Sequence, residues 1–451
     1  MSDRKTFYHF VIPSLGSSMI TALYFVVDGI FVGRGVGTNA LAAVNLSLPV
    51  IILIISITMM LTMGGATLTS ISMGEKDPAA ANQSFRTTMS MVVVFAVLIS
   101  VFCAGFPETV ATISGANGVL LEDTSTYIRY YCLFGVFYCF AMCLSVFVRN
   151  DNNPRLALWG MVTGACTNIF LDWLFIFPLQ MGLMGAAIAS GIGQAISCLL
   201  LMTHFFRKKG ILRFGRFQLS GRLCLQIARR GIPEFFTQMS QTVTIFIYNI
   251  LALKYLGEIG VAAYAVVCYL LEIIIASFIG VSQGIQPLIS YSYGEKNHQR
   301  ERYFFRQGLF FNTALALAVY LIMVVLGRPI ISIFNPDPEL IRLAYSSILV
   351  YGVSFAFAAI NIVFTTYYLA TKRTGRSIMI AAGRSFILNS ICIFAMPAIF
   401  GPQALWTGIV AAEVILAAIC LLTRPKKQLV GEQELPQQRA DRQEDAPLAK
   451  Q

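Results

Sequence analysis

The chain has 451 residues, 57% of them hydrophobic and only 12% charged, with 33 Lys and Arg against 22 Asp and Glu for a formal charge of +11. A soluble globular protein carries about 25% charged residues, so the composition excludes a soluble fold and puts the chain in a bilayer. The basic excess needs no nucleic-acid partner, because membrane proteins retain Lys and Arg on their cytoplasmic loops.

Apolar runs of roughly 20 residues, long enough to cross a hydrocarbon core about 30 Å thick, follow one another along the chain. They fall near 10–33, 41–72, 87–106, 125–148, 156–178, 183–206, 231–254, 261–291, 307–327, 339–369, 377–399 and 403–423. The expected fold is an all-α integral membrane protein of 12 transmembrane helices. The first run has no small-residue cleavage site after it and reads as an uncleaved helix.

The second and third runs are joined by "SMGEKD" (Ser72–Asp77), and the eighth and ninth by "SYGEKN" (Ser292–Asn297), 220 residues later. At that offset Ile12-Pro13 falls on Ile232-Pro233, Gly37 on Gly257, Gly64 on Gly284 and Leu68 on Leu288. Later the register drifts by one residue, with Asn168 opposite Asn389. The chain is therefore two diverged copies of one six-helix unit, not a solenoid of short modules. An even number of spans per copy relates the halves by an axis along the membrane normal. The expected divisions are an N-lobe at 1–206, an inter-lobe loop at 207–230, a C-lobe at 231–424 and a polar, disordered tail at 425–451.

Most Lys and Arg fall on the tails and even-numbered loops, above all in "RKKGILRFGRFQLSGRLCLQIARR" (Arg207–Arg230), while the odd-numbered loops carry Glu108, Glu122, Asp123, Asp337 and Glu339. By the positive-inside rule both termini are cytoplasmic. Lys76, Arg86, Lys296 and Arg306 in the repeated loops are read as topological and structural residues.

Enzymatic readings lack parts. The histidines His9, His204 and His298 sit at span ends or in a loop, no HExxH or P-loop occurs, and the ten cysteines show no CxxC. No cofactor is expected beyond a coupling ion. Charges at membrane depth are costly and mark function by default, which singles out Asp28, Asp172, Glu234, Glu272, Glu413 and the basic Arg384. Asn168 and Asp172 are spaced i, i+4 and share a helix face; together they offer oxygen ligands to Na⁺ or a place for a proton. Against these readings stand plain hydrogen bonds between helices for Asp28 and Asp172, a helix-terminal carboxylate for Glu234, and a structural ion pair for Arg384. In the repeat Asp28 falls on Tyr248, Asp172 near Ile393, Glu272 on Ile52 and Glu413 on Gln194, so the halves share a scaffold but not their acids.

Taken together, "IPSL...DGIFVG", "GVGTNALAA", "SMGEKD" with "SYGEKN", "NIFLDWLFIF", "MGLMGAAIASGIGQ" and "GVSQGIQPLISYSYG" make the chain resemble the MATE (multidrug and toxic compound extrusion) transporters, nearest the prokaryotic DinF-like or MepA-like branch. The resemblance spans all but the tail. It implies a cation-coupled (Na⁺ or H⁺) multidrug efflux antiporter in a bacterial cytoplasmic (inner) membrane, two six-helix lobes around a cleft, working by alternating access on amphipathic, cationic drugs or dyes. It implies a cation site at Asp28, Asn168, Asp172 and Ser190, with Na⁺ on the first three, and a helix bend at Pro13. The family's other branch has an acid inside the tenth span, absent here, which leaves Glu272, Glu413, Glu234 and Arg384 as candidate substrate contacts. Membrane lipids are the expected surroundings and a monomer the expected state. The alternative is a flippase for a lipid-linked oligosaccharide, which Arg384 alone favours.

Overall fold

Inside a bilayer no water is available to the backbone, so each crossing segment satisfies its N–H and C=O groups within itself, as a helix does. The structure, a computed structural model, describes residues 2–216, 219–334 and 337–422; the expected tail at 425–451 lies outside them. In chain order it has α1 (Asp3–Gly35), α2 (Thr38–Gly74), α3 (Pro78–Gly105), α4 (Pro107–Ile113), α5 (Val119–Leu133), α6 (Gly135–Asn150), α7 (Pro154–Ile176), α8 (Gly182–Phe206), α9 (Gly221–Gly294), α10 (His298–Phe334), α11 (Pro338–Gly352), α12 (Ser354–Ala370), α13 (Thr374–Ala382), α14 (Leu388–Phe400) and α15 (Thr407–Leu422). No strand occurs among the described residues.

Eight stretches are long and apolar enough to cross a membrane: α1, α2, α3, α7, α8, Ile259–Gly294 of α9, α10, and Thr374–Phe400. The expected spans 125–148 and 339–369 are instead bent pairs, α5 with α6 (52°) and α11 with α12 (45°). The part of α9 before Gly257 and the short apolar α15 complete the set of 12.

The duplication is visible in the backbone. Gly37 (φ 121°) separates α1 from α2, and its repeat partner Gly257 (φ 68°) breaks α9 at the same point of the second copy. Without a Cβ, glycine adopts such angles at no steric cost. The "GEK" loops are explained the same way. Lys76 (φ 60°) and Lys296 (φ 57°) take the left-handed position after α2 and α9. Asp77 N–H then bonds Ser72 O (2.9 Å) and Asn297 N–H bonds Ser292 O (3.0 Å), closing Schellman caps. Asp77 Oδ1 accepts from Ala79 and Ala80 N–H (3.0 Å each) at the start of α3, and Asn297 Oδ1 accepts from Arg300 N–H (3.1 Å). One motif stops one helix and caps the next.

Its glycine does more. A Cβ on Gly74 would collide with the carbonyl oxygen of Tyr291, and a Cβ on Gly294 with that of Ile71, the repeat partner of Tyr291. The ends of α2 and α9 thus meet backbone to backbone about the pseudo-twofold axis. Ties across this end add to the contact: Arg300 Nε to Asp3 Oδ1 (3.0 Å), Lys372 to Glu75 (3.8 Å), Gln286 Nε2 to Thr67 Oγ1 (3.2 Å), and Arg149 Nη1 to Gln283 Oε1 (3.0 Å). Arg149, 3% exposed, is a second buried arginine beside the Arg384 that the sequence singles out. Away from this end the interior is split. One cluster draws on residues from Val32 to Leu212 with Leu369, another on Ile247 to Ile409.

The expected loop 207–230 is shorter than read, since α9 begins at Gly221. Its first part is strapped to the N-terminal half. Buried Asp151 accepts from the N–H groups of Ile211 (2.8 Å) and Leu212 (3.2 Å) and lies 2.9 Å from His204 Nε2. Arg213 N–H donates to Asn82 Oδ1 (2.7 Å), and Arg86 Nε donates to Arg213 O (3.2 Å).

Candidate functional site

In the N-terminal half the site grows from a helix crossing. The buried positions of α7 are Pro154, Ala157, Gly160, Gly164, Asn168, Asp172 and Ile176, a stripe every three or four residues. Gly164 and Gly193 let α7 and α8 touch: a Cβ on Gly193 would lie 2.7 Å from Gly164 O, and one on Gly164 would lie 3.1 Å from Gly193 O. One turn beyond this contact Asn168 Nδ2 donates to Ser190 Oγ (3.2 Å). The third wall is α1, which brings Asp28 within hydrogen-bonding reach of Asp172. All four predicted residues come together and are buried: Asp28 at 8%, Asn168 at 2%, Asp172 at 0% and Ser190 at 3% exposure.

Among the described residues, no N–H or O–H donor is placed on Asp28 Oδ1, Asn168 Oδ1 or either carboxyl oxygen of Asp172. A buried acceptor without a donor is expensive, and here several such oxygens face one another. Hard oxygen donors of this kind suit Na⁺ or a shared proton, not a thiophilic metal. Pro13 lies inside α1, at the level where Gly280 and Gly284 of α9 pack on Ser14, Leu15, Phe10 and Val11. Tyr24, one turn before Asp28, faces both Asp28 and Ser190; nearby the ring of Tyr131 stacks on Tyr127 (5.9 Å) and meets Tyr138 at a tilt (5.7 Å, 49°). The sequence reading did not name these tyrosines; the i, i+4 spacing of Tyr24 and Asp28 is the signal that points to the first.

The second copy of this site is filled. Tyr248 stands where the first copy has Asp28, fully buried, its ring 5.3 Å from those of Trp406 and Tyr264 and its hydroxyl accepting from Ile409 N–H (3.2 Å). Asn389, opposite Asn168, keeps an amide oxygen that accepts no hydrogen bond among the described residues.

The charges of the C-terminal half lie elsewhere, around two adjoining cavities. Glu272, Glu413 and Arg384 line one, with Ser240, Thr244, Tyr264 and Tyr351. Glu234 and Arg384 line the other, with Met63, Ser282 and Gln283. Arg384 sits on a π-helical turn, Gly383–Ile387, where the span between Thr374 and Phe400 is locally widened and underwound; such insertions recur at functional positions. Its Nε donates to Glu413 Oε1 (2.7 Å), and Asn361 Nδ2 donates to Glu413 Oε2 (2.7 Å). Asn361 was missed because an amide inside an apolar run carries no pattern of its own. Glu234 and Glu272 are brought to the same cleft but not to the ion pair.

A duplicated helical bundle of membrane spans with buried carboxylates clustered in each half is built as a membrane carrier. The family model described as MatE matches the chain twice, over residues 13–174 and 233–394, in the register of the internal repeat. The chain belongs to the MatE family and is a multi-pass membrane transporter, not an enzyme. It is similar to the multidrug export protein MepA of Staphylococcus haemolyticus (strain JCSC1435), 25% identical over 421 residues that cover 92% of each chain. MepA of Staphylococcus aureus (strain bovine RF122 / ET3-1) is 22% identical over 422 residues, 93% of this chain and 92% of that protein. Among solved structures, a MATE protein in complex with MaL6 and an outward-facing multidrug resistance MATE family transporter of the MOP superfamily each superpose with a TM-score of 0.88 at 21% identity, covering 94% of this chain and 95% of theirs. At that identity the likeness speaks for the fold.

Proposed function

We propose that this chain is a multidrug efflux antiporter that exports amphipathic, mainly cationic compounds in exchange for inward Na⁺ or H⁺. The observation that carries the coupling is the set of unpaired buried oxygens on Asp28, Asn168 and Asp172, with Ser190 holding the Asn168 amide in place. An ion entering this set gives the two carboxylates the counter-charge they lack. Loading then favours a state that releases drug outward, and unloading inward resets it, as the lobes 1–206 and 231–424 rock about the cleft. Pro13, where α1 meets α9, is the hinge of this proposal, since its missing N–H weakens α1 at that level.

The tight end of the bundle carries the "GEK" loops, Arg300, Lys372 and the inter-lobe strap, which fits a cytoplasmic face, with both termini on that side. The relatives, which are multidrug export proteins of Staphylococcus, support a bacterial cytoplasmic membrane. One chain supplies both charged clefts, so a monomer is the working unit in this reading. The flippase reading loses its main support, because the guanidinium that would meet a pyrophosphate is already neutralised by Glu413.

The test is efflux of a fluorescent cationic dye from proteoliposomes under separately imposed Na⁺ and H⁺ gradients, comparing the intact protein with Asp172→Asn. Efflux driven by one gradient and abolished by the substitution is the expected result and names the ion. Undiminished efflux in the variant sinks the coupling site; no dye movement under either gradient sinks the exporter.

A further inference from the structure

Two thiols meet in the core of the N-terminal half, outside both charged clusters. Cys103 lies near the end of α3, just before Gly105, and Cys132 lies on α5 just before the bend into α6. They are 1% and 2% exposed. Their side chains interact directly, and the packing around them sets the same register. A Cβ on Gly135 would lie 2.6 Å from Ser100 Oγ. Ser100 is one turn before Cys103 and Gly135 one turn after Cys132, so antiparallel segments that touch at the first pair meet again at the second. Cys139, two turns beyond Cys132, is engaged elsewhere, accepting from Thr58 Oγ1 of α2 (3.2 Å).

The pair adjoins a joint beside the ion site. Cys132 follows Tyr131, whose ring meets that of Tyr138, and precedes Phe134, which stands at the 52° bend between α5 and α6. The Phe134 ring packs where a Cβ on Gly191 of α8 would fall, and Gly191 is the neighbour of Ser190. A covalent link from α3 to α5 would hold this bend, and through Phe134 the wall that carries Ser190. The segment 106–124 that follows α3 contains Glu108, Glu122 and Asp123 without a Lys or Arg. By the positive-inside rule that end of α3 faces outward, toward the compartment in which disulfides persist.

We propose that Cys103 and Cys132 are a redox pair, which a small disulfide oxidant on the outer side closes into a reversible disulfide that ties α3 to α5 and slows transport. The slowing rests on the exporter reading; the bond itself does not. One thiol loses its proton and attacks a sulfur of the oxidant, displacing the first oxidant thiol. The other then attacks the mixed disulfide and displaces the second. An S–S bond forms between Cys103 and Cys132, the oxidant's S–S bond is reduced, and the two protons leave on the released thiols. Burial of both thiols excludes bulky or charged reagents, so the oxidant is small and uncharged.

The experiment treats the purified full-length protein with 4,4′-dithiodipyridine, then maps its disulfides by peptide mass spectrometry without reduction. A linked Cys103–Cys132 peptide, lost on adding dithiothreitol, is the expected product. In proteoliposomes the same treatment should slow dye efflux by on the order of tenfold, and dithiothreitol should restore it. Cys103→Ser and Cys132→Ser should each transport near the parent rate when reduced and ignore the oxidant, whereas Cys166→Ser, which removes an exposed thiol, should stay as sensitive as the parent. Absence of the linked peptide overturns the pair. A linked peptide with efflux unchanged, or slowing that persists in both the Cys103 and Cys132 variants, overturns the restraint on transport while leaving the exporter standing. No efflux from the reduced parent sinks the exporter reading and the slowing with it, and the peptide map still decides the bond.

Discussion

Arg384 Nε lies 2.7 Å from Glu413 Oε1, an ion pair joining a π-helical turn to α15 with the carboxylate 2% exposed. Such a pair adds little net stability over an apolar substitute, but removing one partner strands the other charge, at about 3–5 kcal/mol. Arg384→Ala should therefore destabilise the protein by that order, whereas Arg384→Met combined with Glu413→Leu should recover most of the loss. Thermal unfolding in detergent across the double-mutant cycle checks this, and additive losses would contradict it.

Asn168 and Ser190 invite a finer test of the ion site than removal of a carboxylate. Ser190→Ala deletes the acceptor of the 3.2 Å bond from Asn168 Nδ2 and should weaken apparent ion affinity about 3–10-fold, the worth of one hydrogen bond. Ser190→Thr retains the hydroxyl and should stay close to the parent. The readout is the ion concentration giving half-maximal efflux.

Gly294 has no room for a side chain against Ile71. Gly294→Leu should force the α2 and α9 ends apart, costing about 1–3 kcal/mol or more by overpacking, and should block efflux with helical content unchanged. Transport at the parent rate would show that this backbone contact is dispensable to the cycle.

Asp151 ties down the strap between the halves. Asp151→Ala leaves the N–H groups of Ile211 and Leu212 and the ring of His204 without their acceptor, each loss being worth about 1–3 kcal/mol. The strap should come free, and trypsin cleavage after Arg213 should accelerate by on the order of tenfold, the factor that 1.4 kcal/mol of opening gives. Unchanged cleavage would mean that Asn82 and Arg86 suffice to hold it.

Much of the candidate site is legible in the sequence. Asn168 and Asp172 needed only the helical repeat to share a face, and Asp28 and Ser190 came with the motifs around them. The partner of Arg384 was not legible, because Glu413 sits 29 residues away on another helix and nothing in either local pattern pairs them. Nor were the bends between α5 and α6 and between α11 and α12, where apolar runs continue unbroken through the change of direction. Arg149 escaped for a related reason, since it follows an apolar run and its burial is decided by Gln283 of the other half.

The sequence by itself determined the spans, their number, the duplication and the meaning of "GEK", because each of these depends on quantities local to the chain: apolar length against bilayer thickness, and turn residues at fixed offsets. The tertiary structure decided which charges meet. That depends on which helix faces touch, and the touching is set where glycines such as Gly164, Gly193, Gly74 and Gly294 let backbones from distant segments come into contact.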